Sequence, residues 1–285
     1  MIVNTQSLVR MAQQSDRHQL TNLIHFETFV HRHLDWRPPL DWLGHTPYLV
    51  AEEKGRLVAA LACPPDPPGV AWIRMFASTS KCEPQQAWEL LWPTIQDHFR
   101  DQADVVAAAI PMQKWFRLLL EANGFNHTHN VVMLTWDNSK EETPPAGTTA
   151  SLRLMSKEDL PAVHEIDSQA FGHMWRNSLD SVEIAFQQAA LATVAEVDGQ
   201  ICGYQISTPS PVGVHLARLA VSPDAQKQGI GYALVCHLTG QFKGAVNRRV
   251  SVNTQHNNLA SLKMYQKAGF KMTGEQYPVY QFPLF

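Results

Sequence analysis

The chain has 285 residues, of which 45% are apolar and 17% are charged, a composition typical of folded proteins with a sizeable core. The formal net charge of −3 disfavours a nucleic-acid-binding protein, and no apolar run approaches the roughly 20 residues of a membrane helix. The four cysteines are far apart and the first residues lack the layout of a signal peptide, so we expect a cytoplasmic protein with reduced thiols.

The first half of the chain predicts an alternation of strands and helices. The apolar spacings and turn residues indicate, in chain order, a strand at Leu8–Met11, a helix from about Asp16 to His33, a hairpin of Tyr48–Glu53 and Arg56–Cys63 around Lys54-Gly55, and helices at about Gln85–Arg100 and Lys114–Ala122. This order is typical of an α/β fold.

The second half predicts the same order of elements. It begins with a strand at Leu152–Met155, a helix at Glu158–Ala170 and a hairpin of Leu191–Val197 and Ile201–Ser207 around Asp198-Gly199, and continues with a strand at Val214–Val221, a helix at Tyr232–Phe242, a strand at Arg249–Val252 and a helix at Leu259–Ala268.

Corresponding turns of the two halves keep a nearly constant separation. Gly55 and Gly199 are 144 positions apart, and Gly124-Phe125 and Gly269-Phe270 are 145 positions apart. A constant offset over more than a hundred residues is a sign of internal repetition. The segment near 137–147 is polar and contains a Pro-Pro pair, which favours a linker. We therefore predict a tandem duplication with domains at 1–137 and 151–285 and a linker at 138–150.

A glycine-containing loop in the second half carries the first chemical signal. Gln226-Lys-Gln-Gly-Ile-Gly231 stands where the strand ending at Val221 gives way to a helix. Main-chain N–H groups in such a loop, together with the positive end of the helix, form a phosphate site. The loop lacks the Gly-Lys-Ser/Thr of nucleotide hydrolases, and Leu234 stands where a dinucleotide loop needs a small residue.

A second segment, Asn258-Leu-Ala-Ser-Leu-Lys-Met-Tyr265-Gln-Lys-Ala-Gly269-Phe270, follows one strand later. It resembles the signature Asn-x6-Tyr-x3-Gly-Phe of the GCN5-related N-acetyltransferases, and the loop at 226–231 resembles the pyrophosphate loop of that family. The two segments stand in the family's order. The resemblance implies an α/β fold of two tandem domains, each a mostly antiparallel twisted sheet flanked by helices.

The resemblance also implies acetyl-coenzyme A as cosubstrate, bound beside a splayed strand at Leu216–Val221. Main-chain N–H groups from Lys227 to Tyr232 would hold the pyrophosphate, and Tyr265 would be the general acid that protonates the leaving thiolate. The residues that the resemblance places at the coenzyme are Leu219, Ala220, Val221, Gln226, Lys227, Gln228, Gly229, Ile230, Gly231, Tyr232, Asn253 and Asn258.

The general base is open at the level of the sequence. Several amine-acetylating relatives carry a Glu at the position of Asn253, and an amide cannot accept a proton at neutral pH. Three alternatives follow: Glu196 acting through water, His215 or His256 acting directly, or an amine that arrives neutral and loses its proton to bulk water.

The first half has lost the residues that carry this chemistry. Its loop reads Lys81-Cys-Glu-Pro-Gln-Gln86, and Pro84 both fixes φ and removes a backbone donor. Leu120 takes the position of Tyr265. We therefore predict a degenerate copy that folds but binds no acetyl-coenzyme A.

The aromatic and histidine residues of the first half favour structural roles. The seven tryptophans, Trp36, Trp42, Trp72, Trp88, Trp92, Trp115 and Trp136, are expected to fill the core, with a platform for a substrate or partner as the alternative. His31-x-His33 and His127-x-His129 lack a third nearby ligand, so we expect surface histidines and no metal.

The leading hypothesis is an acetyl-coenzyme A-dependent N-acetyltransferase that acts on a primary amine of a small molecule or peptide by direct attack in a ternary complex. The runner-up is a catalytically silent module that binds acyl-coenzyme A or a partner. Trp175 lies in a loop where relatives bind the acceptor, although a core anchor explains it as well. The expected partners are the coenzyme donor and an amine, without nucleic acid or membrane, and the oligomeric state stays open.

Overall fold

The computed structural model describes residues 7–136, 150–242 and 249–284. Contacts divide the chain into two compact units. Unit 1 comprises Met1–Thr128 with Pro278–Phe285, and unit 2 comprises His129–Tyr277. The domain limits at 137 and 151 stay a prediction, because most of the segment between them lies outside the described residues.

The first half contains eight strands and three α-helices within its described residues. They are β1 (Leu8–Met11), α1 (Arg17–Phe26), β2 (Phe29–Arg32), β3 (Tyr48–Glu53), β4 (Arg56–Ala62), β5 (Val70–Trp72), β6 (Met75–Ser78), α2 (Pro84–Phe99), β7 (Val106–Ala109), α3 (Lys114–Ala122) and β8 (Asn126–Trp136).

The second half continues with six strands and four α-helices among the described residues. They are β9 (Ser151–Leu154), α4 (Leu160–Ala170), α5 (Leu179–Gln187), β10 (Leu191–Val197), β11 (Gln200–Ser210), β12 (Gly213–Val221), α6 (Ile230–Gly240), β13 (Arg249–Gln255), α7 (Leu259–Lys267) and β14 (Lys271–Pro283). Mixed sheets flanked by helices confirm the predicted fold class.

One predicted element of the first half is wrong. The helix expected from Asp16 to His33 ends at Phe26, and Phe29–Arg32 forms the strand β2. This strand pairs antiparallel with β6, from Phe29 opposite Ser78 to Arg32 opposite Met75. Its partner lies more than 40 residues away, and local helical spacing carries no information about such a pairing.

Unit 2 is built on a sheet in which β13, β12, β11, β10 and β9 follow one another. The pairs are antiparallel except for β12 and β13, which are parallel. On its other side β13 pairs antiparallel with β8, from Val250 opposite Trp136 to Gln255 opposite Val131. A strand of the first half of the sequence therefore belongs to the unit of the second half.

Unit 1 receives a strand from the end of the chain in return. There β7 pairs antiparallel with the last residues of β14, from Val106 opposite Pro283 to Ala109 opposite Tyr280. Tyr280 and the buried Leu284 belong to the same core cluster as Trp88. The two halves of the sequence thus exchange their final strands, which the linear domain prediction does not contain.

The core of unit 1 is rich in aromatic side chains. Five of the seven tryptophans are buried, namely Trp42, Trp72, Trp88, Trp92 and Trp136, the last of them in the core of unit 2, and Trp115 packs against the unit 1 cluster. Core filling is therefore confirmed for these residues. None of the described helices has both the length and the apolar character that crossing a membrane requires.

The expectation of surface histidines is wrong for His31. Its ring is fully buried, stacks on Phe116 at a centroid distance of 4.0 Å, and its Nε2 lies 3.2 Å from the carbonyl oxygen of Ile73. Burial lowers the pKa of His31 to about 3. Within the described ranges, no three His, Cys, Asp or Glu side chains form a group that could hold a metal ion.

Candidate active site

The central feature of unit 2 is the separation of two parallel strands. β12 and β13 pair from Gly213 opposite Arg249 to Leu216 opposite Val252, and there the pairing ends. β12 continues to Val221, still paired with β11 on its other edge. Among the strands described for unit 2, none pairs with the second edge of β12 beyond Leu216. This edge, from Ala217 to Val221 and here called the open edge, includes the predicted residues Leu219, Ala220 and Val221.

The open edge leads directly into the glycine-containing loop. Gly229 adopts a φ of +81° and is the N-cap residue of α6, a left-handed conformation that favours glycine. Lys227 also has a positive φ, of 63°. Gln226, Lys227, Gln228 and Gly229 are exposed, so the loop is accessible to a ligand.

The beginning of α6 explains the second glycine of the loop. A Cβ at Gly231 would lie 3.1 Å from Sδ of Met264, so the small residue allows α6 to approach α7 closely. Ile230 and Tyr232 are buried, whereas the first N–H groups of a helix have no partner inside the helix. The predicted loop residues therefore lie together at the positive end of a helix dipole.

Asn258 has a structural role in the described geometry. Its Oδ1 accepts a hydrogen bond from the backbone N–H of Ser261 at 3.2 Å and caps α7. Gln226 likewise stabilises its surroundings, since its Nε2 donates to the carbonyl oxygen of Val221 at the end of β12. Neither contact excludes a further contact with a ligand.

Tyr265 lies on α7 with its side chain in the core of unit 2. It is 5% exposed, packs against Phe270 at a centroid distance of 5.6 Å, and belongs to the cluster that contains Leu216 and Val252. This cluster therefore includes both residues of the last β12–β13 pair. Burial raises the pKa of Tyr265 well above its ordinary value, which keeps the phenol protonated at neutral pH.

His215 lies near the same point on the opposite face of the sheet. It pairs with Ser251 one residue before the strands separate, and its Nδ1 is 2.9 Å from Oγ of Ser251. A hydrogen bond also joins it to the side chain of Asn253, although burial is the larger effect and lowers the pKa of His215. The imidazole is therefore neutral at pH 7 and able to accept a proton.

The two other candidate bases lie in different surroundings. Glu196 binds Arg153, with its Oε1 2.7 Å from Nη2, and Arg153 also binds Asp159 at 2.7 Å. His256 is exposed and its Nδ1 accepts a hydrogen bond from the backbone N–H of Asn130 at 3.1 Å. Of the three candidates, only His215 lies on β12, one residue before the last β12–β13 pair.

Sequence reasoning missed a buried polar cluster on the face that carries His215. Arg218 of β12 donates to Asp167 of α4 from Nε at 2.6 Å and from Nη2 at 2.8 Å. Tyr204 of β11 donates its hydroxyl to the same carboxylate. Asp167 and Tyr204 are fully buried. The only signal in the sequence is the presence of charged residues within apolar elements.

A β-bulge places Arg218 on that face. Leu216 pairs with Ser207 and Arg218 with Ile206, so Ala217 is an extra residue in β12. Before the bulge Val214 and Leu216 pack into the core cluster with Val252, and His215 points to the opposite face. The extra residue resets the alternation, so Arg218 shares the face of His215.

The comparisons with known proteins match the part of the chain that contains the loop and the open edge. Residues 160–270 match the model of the Acetyltransferase (GNAT) family. A putative ribosomal protein bS18-alanine N-acetyltransferase of Bacillus subtilis is 26% identical over 45% of this chain and 84% of its own length. A peptidyl-lysine N-acetyltransferase of Escherichia coli is 28% identical over 42% of this chain and 82% of its own.

Solved structures extend the similarity to both halves of the fold. A tandem GNAT protein from the clavulanic acid biosynthesis pathway superposes with a TM-score of 0.62, covers 98% of each chain, and is 15% identical in sequence. Together with the fold, these matches support an acyltransferase. Residues 160–270 resemble the GCN5-related N-acetyltransferases (GNAT), and the fold of the whole chain is similar to that of a tandem GNAT protein.

Proposed function

We propose that the protein transfers an acetyl group from acetyl-coenzyme A to a primary amine of a small molecule or peptide, at one site in unit 2. The observation that carries the proposal is the open edge of β12, which ends at the loop of Gly229. Unpaired main-chain groups along a strand can bind an extended amide-containing chain, as a further strand would. Pantetheine is such a chain, and its pyrophosphate would reach the N–H groups from Lys227 to Tyr232.

The two sides of the strand separation supply complementary chemistry. The amine nitrogen would attack the thioester carbonyl, the C–N bond would form, and the C–S bond would break. Tyr265, on the side of α7, would donate its proton to the departing thiolate sulfur. His215, on the opposite face, would accept the proton that the nitrogen loses. A neutral imidazole and a protonated phenol are the forms that burial favours at these two positions.

The residues of unit 1 that correspond to the proposed site lack its features, which supports a single site per chain. The edge of β6 that corresponds to the open edge is paired with β2, from Phe29 opposite Ser78 to Arg32 opposite Met75. At the matching helix start, Pro84 is the first residue of α2 and Glu83 is its N-cap. A carboxylate and a missing N–H both disfavour a phosphate there. Leu120, in place of Tyr265, is fully buried.

The relatives point to peptide amines as acceptors to be tested first. The names of two of them specify an alanine of ribosomal protein bS18 and a peptidyl lysine. The catalytic half holds only ten acidic residues and no run of them, which disfavours a polycation such as a polyamine. We therefore propose a single amine group on a peptide or small molecule as the acceptor.

The test is release of free coenzyme A thiol from acetyl-coenzyme A in the presence of defined amines. A peptide with a free N-terminal alanine and an N-acetylated peptide with one lysine test the two kinds of peptide amine, and mass spectrometry identifies the acetylated product. We expect product with at least one primary amine. If a broad panel of amines gives neither thiol release nor acetylated product, the proposed activity is wrong.

One observation favours a second candidate function, a silent module that binds acyl-coenzyme A or a partner. Asn253 occupies the position where several relatives carry a Glu, and its side chain is exposed on the face of His215. This candidate predicts tight binding of acetyl-coenzyme A without turnover. Binding without thiol release over the same panel would favour it.

A further inference from the structure

The segment 171–178 connects α4 to α5 and lies beside the open edge of β12. It carries Trp175, whose indole contacts the ring of His129 at a centroid distance of 5.5 Å. Inside the segment, the backbone N–H of Trp175 donates to the carbonyl oxygen of Gly172 at 2.8 Å. The segment has only one turn of its own, so contacts with neighbouring elements must fix its position.

Arg218 supplies the contact that reaches furthest into the segment. Its Nη2 donates to the carbonyl oxygen of Trp175 at 2.5 Å, and its Cζ lies 3.5 Å from the ring centroid of Phe171. The guanidinium therefore holds the segment at both ends of the turn. It does so from β12, two residues beyond the point where the strands separate.

Asp167 fixes the orientation of the Arg218 guanidinium. Its carboxylate accepts the two hydrogen bonds of Arg218, the hydroxyl of Tyr204 and the backbone N–H of Asn177 at 2.7 Å. Burial, with the charge of Asp167 second, raises the pKa of Tyr204 well above its ordinary value, so the phenol remains a donor. A planar guanidinium held by a carboxylate at two atoms has one orientation, unlike a lysine ammonium.

Arg218 contacts the segment on the face of the sheet from which we expect the acceptor amine to approach. α6 and α7 pack on the other face, where Tyr265 lies in their core. Arg218, His215 and the 171–178 segment share the opposite face. If His215 accepts the proton of the amine, the acceptor would approach the thioester on this face, beside the segment that carries Trp175.

We propose that Arg218 is a positioning residue that fixes the 171–178 segment, and Trp175 with it, as one wall of the acceptor site. This inference rests on the proposed acetyl transfer and goes beyond it, because it assigns a role in acceptor binding to a residue of the strand that carries the coenzyme. Acetyl-coenzyme A would bind through main-chain groups of the open edge, so we expect loss of the Arg218 side chain to leave its affinity unchanged.

Steady-state kinetics of Arg218→Met test the proposal, with the alanine or lysine peptide that the wild-type protein turns over. We expect kcat/KM for the peptide to fall by about tenfold or more through a higher KM, while the Kd of acetyl-coenzyme A changes less than about twofold. Arg218→Lys keeps the positive charge but loses the two-atom contact of the guanidinium, so its kcat/KM should lie between those of the wild type and Arg218→Met. Arg153→Met is the control, because Arg153 likewise forms ion pairs with carboxylates of unit 2, in this case Asp159 and Glu196, but does not bind the segment.

A second measurement keeps the proposal testable apart from activity. In protein labelled with 5-fluorotryptophan, Trp175→Phe assigns the ¹⁹F resonance of Trp175 among those of the eight tryptophans. We expect Arg218→Met to shift or broaden that resonance and leave the others unchanged, and Arg153→Met to leave it in place. Phe171→Leu, a milder change, should shift it in the same direction if Arg218→Met does not fold.

An unmoved Trp175 resonance would overturn the proposal, as would a fall in kcat with an unchanged peptide KM. A protein in which wild-type and variants alike release no thiol would refute the proposed function instead, and the ¹⁹F spectra would still decide the role of Arg218.

Discussion

The two units share a scaffold but differ at one strand edge, which is paired in unit 1 and open in unit 2. In unit 1, Val70 pairs with Val106 and Trp72 with Ala108; the residues 144 positions later, from Val214 opposite Val250 to Leu216 opposite Val252, pair in the same parallel register. Beyond that point the units differ. β2 covers the edge of β6, whereas the corresponding edge of β12 is open.

An ion-pair cluster repeats in both units and is independent of the site. Arg10 binds Asp16 at 2.7 Å and Glu52 at 2.9 Å, and in unit 2 Arg153 binds Asp159 and Glu196, each at 2.7 Å. Because the same cluster forms in both units, we infer that it serves the fold. We therefore propose His215 and not Glu196 as the base.

The largest expected effect concerns the exchanged strands. Deletion of residues 278–285 should unfold unit 1, although these residues follow the second half of the sequence. It removes the buried Val279, Tyr280 and Leu284, whose burial contributes on the order of 5 kcal/mol. Hydrogen exchange measured by mass spectrometry should show lost protection in peptides of α2 and β7. If unit 1 stays fully protected from hydrogen exchange after the deletion, the end of β14 is not part of its core.

Two single substitutions test the same point more mildly. Leu284→Ala should destabilise the protein, whereas Leu259→Ala, at an exposed position, should not.

Removal of the Tyr265 hydroxyl, a group that Leu120 of unit 1 lacks, tests the proposed general acid. Tyr265→Phe should lower kcat by about 10²–10⁴-fold, the usual scale of general acid catalysis, with acetyl-coenzyme A affinity nearly unchanged. The phenyl ring preserves the packing against Phe270, so thermal stability serves as the control. A kcat within about twofold of wild type would leave Tyr265 with a packing role only.

Alanine substitutions at two glycines with similar φ values distinguish an effect on coenzyme binding from an effect on stability. Gly229 and Gly199 have φ values of +81° and +76°, so alanine costs on the order of 1–2 kcal/mol of stability at either position. Only Gly229→Ala also turns the N–H groups of the loop, and we expect it alone to weaken acetyl-coenzyme A binding, by about tenfold in calorimetry. Equal affinities of the two variants would remove the loop from the coenzyme site.

A last prediction concerns the pH dependence of stability in unit 1, which is unrelated to the candidate active site. Because the pKa of His31 is lowered to about 3, the folded state keeps the ring neutral while the unfolded chain takes up a proton below about pH 6.5. Stability is therefore lost as the pH falls below 6.5. His31→Phe should reduce the slope of the unfolding free energy of unit 1 by about 1.4 kcal/mol per pH unit between pH 4 and 6. His33 contributes in the same direction, since burial lowers its pKa as well. An unchanged slope would contradict the assignment.

The repeated order of elements and the loop at Gly229 were predictable, because turn glycines and apolar periods are local signals. β2 was not, since its residues gain their strand character from a pairing with β6. The exchange of the last strands is a choice between two nearly equivalent partners, which no local pattern records. The bulge at Ala217 was equally hidden, and with it the orientation of Arg218, because one extra residue reverses the side of every residue that follows.

The stoichiometry of acetyl-coenzyme A binding tests the central claim most directly. Two copies of one fold are present, and one of them is expected to bind. Calorimetric titration of the full chain should give one site per chain, and Gly229→Ala should weaken that same site. Two sites of similar affinity, or one site that Gly229→Ala leaves unchanged, would contradict the account.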